Sequence, residues 1–302
     1  MVHQPVQLSD EQVHQFREQG FLILEKFLDL ELVHQINTRL DLVCGSQYET
    51  GVFPDESHGR TGTSQPNAVQ QITNVWRCDR TIASFSLSAE IARLNATLGG
   101  WVGARLALDN CWVKPPGSSE VPFHRNSAYV SCIDPSSVIT CWIALTDLIP
   151  EAGTLELASQ SHQWVCSDQV RFLHAPVEDY RQPLQTAANQ AGVKHPEIIQ
   201  LTIPRGGCVF LHGDLWRGLA KNTTQEQTSR SFAVSSFPMH AQFQPPGVGY
   251  GYIFERYRMI GSLEMDESFF PILWTPNGYR TPMVEVYCQD ALVPSIASTS
   301  AV

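Results

Sequence analysis

The segment Pro122-Phe123-His124-Arg125-Asn126 reads as the end of a strand running into a loop, and His124 gives it one strong metal-ligating side chain. Alternate residues of a strand share a face, so His124 and Asn126 point to the same side. A carboxylate at the second position would let such a pair grip one metal ion. An amide oxygen is a poor, neutral ligand. Some 90 residues later comes Gly213-Asp214-Leu215-Trp216-Arg217-Gly218-Leu219-Ala220-Lys221-Asn222, and then Arg230. These segments contribute guanidinium groups, which are always charged, accept no hydrogen bond and cannot ligate a metal. Arg217 can instead pair with Asp109, with Glu156 or with a ligand's carboxylate.

The elements that position these residues follow from the pattern. Ser9 with Gln12 forms a capping box for a short helix that ends at Gly20. Phe21 to Leu24 is a short apolar strand. Asp29 caps a second helix, with Leu32, Val33, Ile36, Leu40 and Val43 on one face. Residues 45–66 are rich in Gly, Ser, Thr, Asp and Pro and read as a loop. Residues 68–99 read as mostly helical, with Trp76, Ile82, Leu87, Ile91 and Leu94 as core residues. From Leu106 onward the chain is a series of short strands: 106–113, 121–123, 138–145, 154–157, a run alternating at Ile199, Leu201 and Ile203, then 208–211 and 231–237. Turn signals separate them, which predicts a barrel or double-sheet roll. Residues 164–196 interrupt the strands and read as a lid over the barrel mouth, partly helical between 177 and 191, with Pro183 limiting that helix. Residues 1–290 form a single domain by this reading, and 291–302 a small, polar, flexible tail.

Composition sets the outer bounds. The chain has 302 residues, 43% apolar and 17% charged, with a formal net charge of −10. That charge disfavours nucleic acid and anionic membrane surfaces. No apolar run approaches the ~20 residues of a spanning helix, and the first ten residues lack a basic-then-apolar signal pattern. A cytoplasmic protein is expected. The eight cysteines include no Cys-x-x-Cys and none at zinc spacing from a histidine, so they read as reduced thiols, several of them buried. Asn95-Ala-Thr97 and Asn222-Thr-Thr224 match the glycosylation pattern by chance under this reading.

Taken together, the segments resemble the phytanoyl-CoA dioxygenase-like branch of the non-heme Fe(II), 2-oxoglutarate-dependent oxygenases. Pro150-Glu151-Ala152-Gly153-Thr154 followed by Ser161-His162 is similar to the family's "PENGAT…GSH" segment, Gly206-Gly207-Cys208 to its "GD" turn, Asn222-Thr223-Thr224 with Arg230 to its "N-x-T…R" ending, and Asn277-Gly278-Tyr279-Arg280-Thr281 to its late "G-W/Y-R" element. The matches run in order over roughly residues 8 to 285. The short "HRN" with Trp216-Arg217-Gly218 most resembles fungal members that tailor meroterpenoids. The resemblance implies a mainly β fold with flanking helices, a double-stranded β-helix of jelly-roll type with the N-terminal helices outside. It also implies Fe(II) held by a facial triad and 2-oxoglutarate held by an arginine.

This chain departs from that pattern at two ligands. It keeps the first histidine, His124, and has Asn126 where the family has Asp and Arg217 where it has the distal His. Asn126 removes a negative charge, and Arg217 would repel a dication. Val121 stands where many relatives place a glutamine that helps hold 2-oxoglutarate. Arg230 is either a salt-bridge residue or a surviving 2-oxoglutarate anchor. His212, five residues before Arg217, would need a bulge to face the site. His162 reads as a hydrogen-bonded loop histidine, and His174 and His240 have no spacing argument.

Three functions fit. The first is a degenerate-site subunit of secondary metabolism, terpenoid or meroterpenoid, that pairs with a catalytically intact paralogous dioxygenase and binds neither cofactor firmly itself; the iron and 2-oxoglutarate would then lie in the partner. The second is a metal-independent isomerase or cyclase in which Arg217 and Asn126 polarise a small-molecule substrate. The third is an active oxygenase with an atypical ligand set. A homodimer is the alternative assembly, and the apolar stretch Phe269-Phe270-Pro271-Ile272-Leu273-Trp274 is either a docking surface or core.

Overall fold

A computed structural model describes residues 6–60, 62–167, 170, 173–174 and 178–288. Antiparallel strands form two facing sheets. The larger runs in the order Phe21–Leu24, Cys208–His212, Ile139–Ala144, Ser229–Pro238, Ala104–Lys114, Gln70–Thr73, Glu56–His58, and Ile272–Trp274 also pairs with Ala104–Lys114. The smaller sheet runs Val121–His124, Arg217–Leu219, Leu155–Ala158, Ile198–Gln200. This is the expected double-sheet roll, although its edges do not close into a continuous barrel.

Side-chain alternation divides the core between layers. On Ala104–Lys114 and Ile139–Ala144, Trp112, Trp142 and Ala144 face the smaller sheet and pack with Val121, Leu155, Leu157 and Leu219. Cys111, Val113, Cys141 and Ile143 face the other way, onto the helices. Those helices bury one apolar stripe each against the outer face of the larger sheet. Asp10–Gln19 begins at the Ser9–Gln12 capping box and ends at Gly20, φ 83°. Leu30–Cys44 begins at Asp29, whose carboxylate accepts from the Leu32 N–H, and it buries Leu32, Val33, Ile36, Leu40 and Val43.

Several expectations change. Within 68–99, Gln70–Thr73 is a strand hydrogen-bonded to Ala104–Lys114, and only Arg80–Ser86 and Ala89–Gly99 are α-helical. Pairing with strands on both sides outweighs local helix propensity there. Glu56–His58 adds a further strand inside what the composition marked as loop. In the interrupting segment the helix is Gln182–Gln190, and Pro183 starts it rather than limits it, because a first-turn proline forfeits no intrahelical bond. The Phe269–Trp274 stretch is largely core: Phe270, Ile272 and Leu273 are buried, which removes it as a docking surface. The tail from 289 onward lies outside the described residues. No helix among the described residues is long and apolar enough to cross a membrane.

Candidate active site

The smaller sheet brings His124 and Arg217 directly opposite each other. Arg217 pairs with His124, Leu219 pairs with Val121, and the register slips between them. Three steps along one strand thus match two along the other, a bulge at Pro122-Phe123. The extra residue restores the inward direction of His124 while Val121 also points inward. Phe123 turns outward, onto Tyr180 and the Gln182–Gln190 helix. Gly218 lies against this bulge. A Cβ there would sit 2.8 Å from the Phe123 ring and 3.0 Å from the Val121 carbonyl, so the close approach requires glycine. After His124 the chain leaves the strand, and Asn126 takes helical φ and ψ at the start of the turn Ser127–Val130.

His124, Asn126 and Arg217 line one cavity of about 130 Å³. The Arg217 guanidinium donates to Asn126 Oδ1. Asn126 Nδ2 donates to Thr140 Oγ1 at 3.1 Å, and Thr140 shares a 2.8 Å hydrogen bond with Ser235 Oγ. The amide is therefore fixed at both ends. The Arg217 guanidinium carbon also lies 5.7 Å from the Trp142 ring centre. His124 Nδ1 lies 2.8 Å from the Pro122 carbonyl oxygen, which places its proton there.

Burial controls the charges. It lowers the Arg217 pKa to about 10, still well above neutrality. It lowers His124 to about 3, with repulsion from Arg217 adding to the effect and the Pro122 carbonyl opposing it. His124 is therefore neutral at physiological pH. Neither carboxylate considered for Arg217 reaches it. Asp109 faces the helices and accepts the N–H groups of Val75 and Trp76. Glu156 faces away from the cavity and accepts from Tyr180, Arg181 and Gln200.

Arg230, expected as either a salt-bridge residue or a 2-oxoglutarate anchor, does not line the cavity. It pairs across the sheet with Val113, on the helix-facing side, and its guanidinium bonds Asp41 at 2.6 Å. The inward residues of its strand are its neighbour Ser231, then Ala233 and Ser235. The inward cation in this region is Lys114, which alternation along 106–113 could have shown, since Trp112 is inward. Lys114 is buried behind Trp112 and Trp142 beside Thr154, Ser229 and Ser231. Its Nζ donates to the Ser119 carbonyl, and burial pushes its pKa down to about 7. His212 ends a strand of the larger sheet and does not line the cavity. It accepts from the Asp214 N–H at 3.1 Å and packs on His162 and Phe16. His162 Nε2 bonds the Arg17 carbonyl at 2.9 Å. His174 does line the cavity, stacked on His58 with ring centres 4.5 Å apart.

A family model for phytanoyl-CoA dioxygenase matches residues 16–232. The chain belongs to the phytanoyl-CoA dioxygenase family. It is 22% identical over 279 residues to the dioxygenase andF of Emericella variicolor, covering 87% of this chain and 82% of that protein. Among solved structures, it is similar to the non-heme α-ketoglutarate-dependent carbocyclase SnoK from nogalamycin biosynthesis, with TM-score 0.65, 22% identity, and 88% and 96% of the two chains covered. It is also similar to the epimerase SnoN in complex with Fe3+, α-ketoglutarate and nogalamycin RO, with TM-score 0.67, 17% identity, and 88% and 98% covered.

An iron site of the family's kind does not fit these residues. Among the described residues no group of three or more His, Cys, Asp or Glu side chains could hold a metal ion. At 124, 126 and 217, the positions that the resemblance matches to the family's ligands, stand a neutral imidazole, an amide whose oxygen is already taken, and a buried cation. A dication placed among them would meet repulsion without a compensating carboxylate.

Proposed function

We propose that this protein is a dioxygenase-family subunit of secondary-metabolite biosynthesis, of terpenoid or meroterpenoid type, that carries no iron of its own and supports a catalytically intact dioxygenase. The observation that carries this reading is the Arg217–Asn126 hydrogen bond at the family's metal position. It satisfies the amide oxygen internally and puts a fixed positive charge where a dication would have to sit. The family fold is nonetheless kept over most of the chain. A protein that keeps the fold and replaces the ligands has its use in the fold, and a surface through which relatives self-associate would be available to a diverged copy. The nogalamycin enzymes among the similar structures support the metabolic setting.

The test is co-expression with a dioxygenase from the same organism that retains all three ligands. The two chains should co-elute, each should raise the other's melting temperature, and turnover should need both. His124→Ala in this chain should leave turnover intact, whereas ligand substitutions in the partner should abolish it. Full activity of the relative alone would refute the reading.

One observation favours a second reading, a metal-independent isomerase or cyclase. Arg217 and Asn126 both line an accessible cavity rather than a filled core, so they can polarise a bound substrate. Turnover of a candidate substrate by this chain alone, unaffected by chelator and lost in Arg217→Met, would establish it.

A further inference from the structure

The replacement at position 217 inverts the charge of the site, and a site with inverted charge recruits a different ligand. Arg217 is 6% exposed, yet its partners are a neutral amide and an indole face. Its remaining N–H groups find no acceptor among the described residues. Buried cations are ordinarily matched by an anion. Here Asp109 and Glu156 are committed on the opposite faces of their strands, and Glu56, the carboxylate in the cavity wall, is held by Arg256. Asn126 cannot supply the charge, and Thr140 holds it from turning away.

We propose that the cavity beside Arg217 binds an apolar organic carboxylate, with the guanidinium as its counter-charge. A planar guanidinium fork matches a carboxylate in two parallel hydrogen bonds. The cavity next to it is walled by Trp112, Trp142, Tyr129, Leu108, Val138 and Ala233, surfaces suited to a ring or a branched hydrocarbon. Its volume of about 130 Å³ is comparable with the roughly 150 Å³ that accommodates a benzene ring in a protein interior. The ligand's orientation follows from charge. Glu56 also lines the cavity, and Arg256 binds its carboxylate at 2.8 Å. An anionic head therefore belongs at Arg217, away from Glu56. This assignment concerns a ligand site of this chain and does not depend on pairing with a second dioxygenase.

The experiment is isothermal titration calorimetry of the full chain with 3-phenylpropionate, with its uncharged isostere 3-phenylpropionamide, and with 2-oxoglutarate. The acid should bind at least about tenfold more tightly than the amide, the difference expected between charge-assisted and neutral hydrogen bonds. Arg217→Met, with near-ultraviolet circular dichroism unchanged, should abolish that preference. Arg217→Lys, which keeps the charge and loses the fork, should reduce it, and it carries the test if Arg217→Met does not fold. The proposal is overturned by equal binding of acid and amide, by a preference that survives both variants, or by no binding of the acid. Tighter binding of 2-oxoglutarate than of 3-phenylpropionate would also overturn it, by marking a remnant co-substrate site instead.

Discussion

Arg217 stands directly across the antiparallel ladder from His124, and both side chains enter the same cavity. The pair couples electrostatically: the cation helps to hold the imidazole neutral, and the hydrogen bond from Arg217 to Asn126 occupies the oxygen that would otherwise be free to bind a metal.

The first prediction concerns iron. The purified chain should take up Fe(II) no better than an isolated surface histidine would. Iron content after anaerobic reconstitution and desalting measures this, and a tight stoichiometric complex would contradict the geometry.

The second concerns repair. Asn126→Asp with Arg217→His should create a three-ligand site with His124, because the three positions already share one cavity. Fe(II) affinity should rise by more than about 100-fold, beyond what outer-sphere changes alone produce. A folded double variant that still ignores Fe(II) would mean these positions are not the family's ligand positions.

Lys114 supplies a prediction in pH. Its folded pKa is about 7 against an ordinary value of 10.5. Between those values the unfolded chain holds a proton that the folded chain lacks, so this group makes stability rise with pH, by at most about 1.4 kcal/mol per unit. Below about pH 7 the full cost of burying the charge remains. Lys114→Met should therefore gain most over the parent at pH 6.5 in urea unfolding, and the gap should close toward pH 10. A gap independent of pH would rule out a buried, titrating Lys114.

At the bulge, Gly218→Ala should destabilise the fold by roughly 1–3 kcal/mol, as overpacking does, because the new methyl meets the Phe123 ring and the Val121 carbonyl. Thermal unfolding decides the matter, and an unchanged melting temperature would mean that the two strands can separate freely.

Arg230→Ala should cost no more than about 1 kcal/mol, the ordinary range for a solvent-accessible ion pair, since Asp41 is 60% exposed. It should leave ligand binding in the cavity unchanged. Loss of binding in that variant would return Arg230 to the site.

Much of this architecture was legible in the sequence because its signals are local. Ser9 and Asp29 cap the helices they precede, Phe21–Leu24 is a strand, and the apolar runs at 139–144 and 208–212 are inner strands of the larger sheet. The site was legible in part. His124, Asn126 and Arg217 do meet, while Arg230 does not join them. Strand parity decides that case: Ser231 is inward and Arg230 is not, and an ordered motif says nothing about parity. Gln70–Thr73 and Glu56–His58 carry no local signal, because they are strands only through pairing with distant residues. They nonetheless bring Glu56, His58, Gln71 and Thr73 to the cavity wall. Lys114 ends the strand Ala104–Lys114, and its inward direction follows from the alternation that turns Trp112 inward.

The doubly held amide of Asn126 ties positions 126 and 217 into one unit. Restoring an aspartate at 126 alone would set a carboxylate against Arg217 and close the site as an ion pair. Restoring a histidine at 217 alone would leave two imidazoles and an amide, with no negative charge to offset a dication. Neither single change gives the three-ligand set, so only the pair together would build an iron site. Positions 126 and 217 thus act as a latch: a change at either one alone removes or neutralises the cation without completing a three-ligand set.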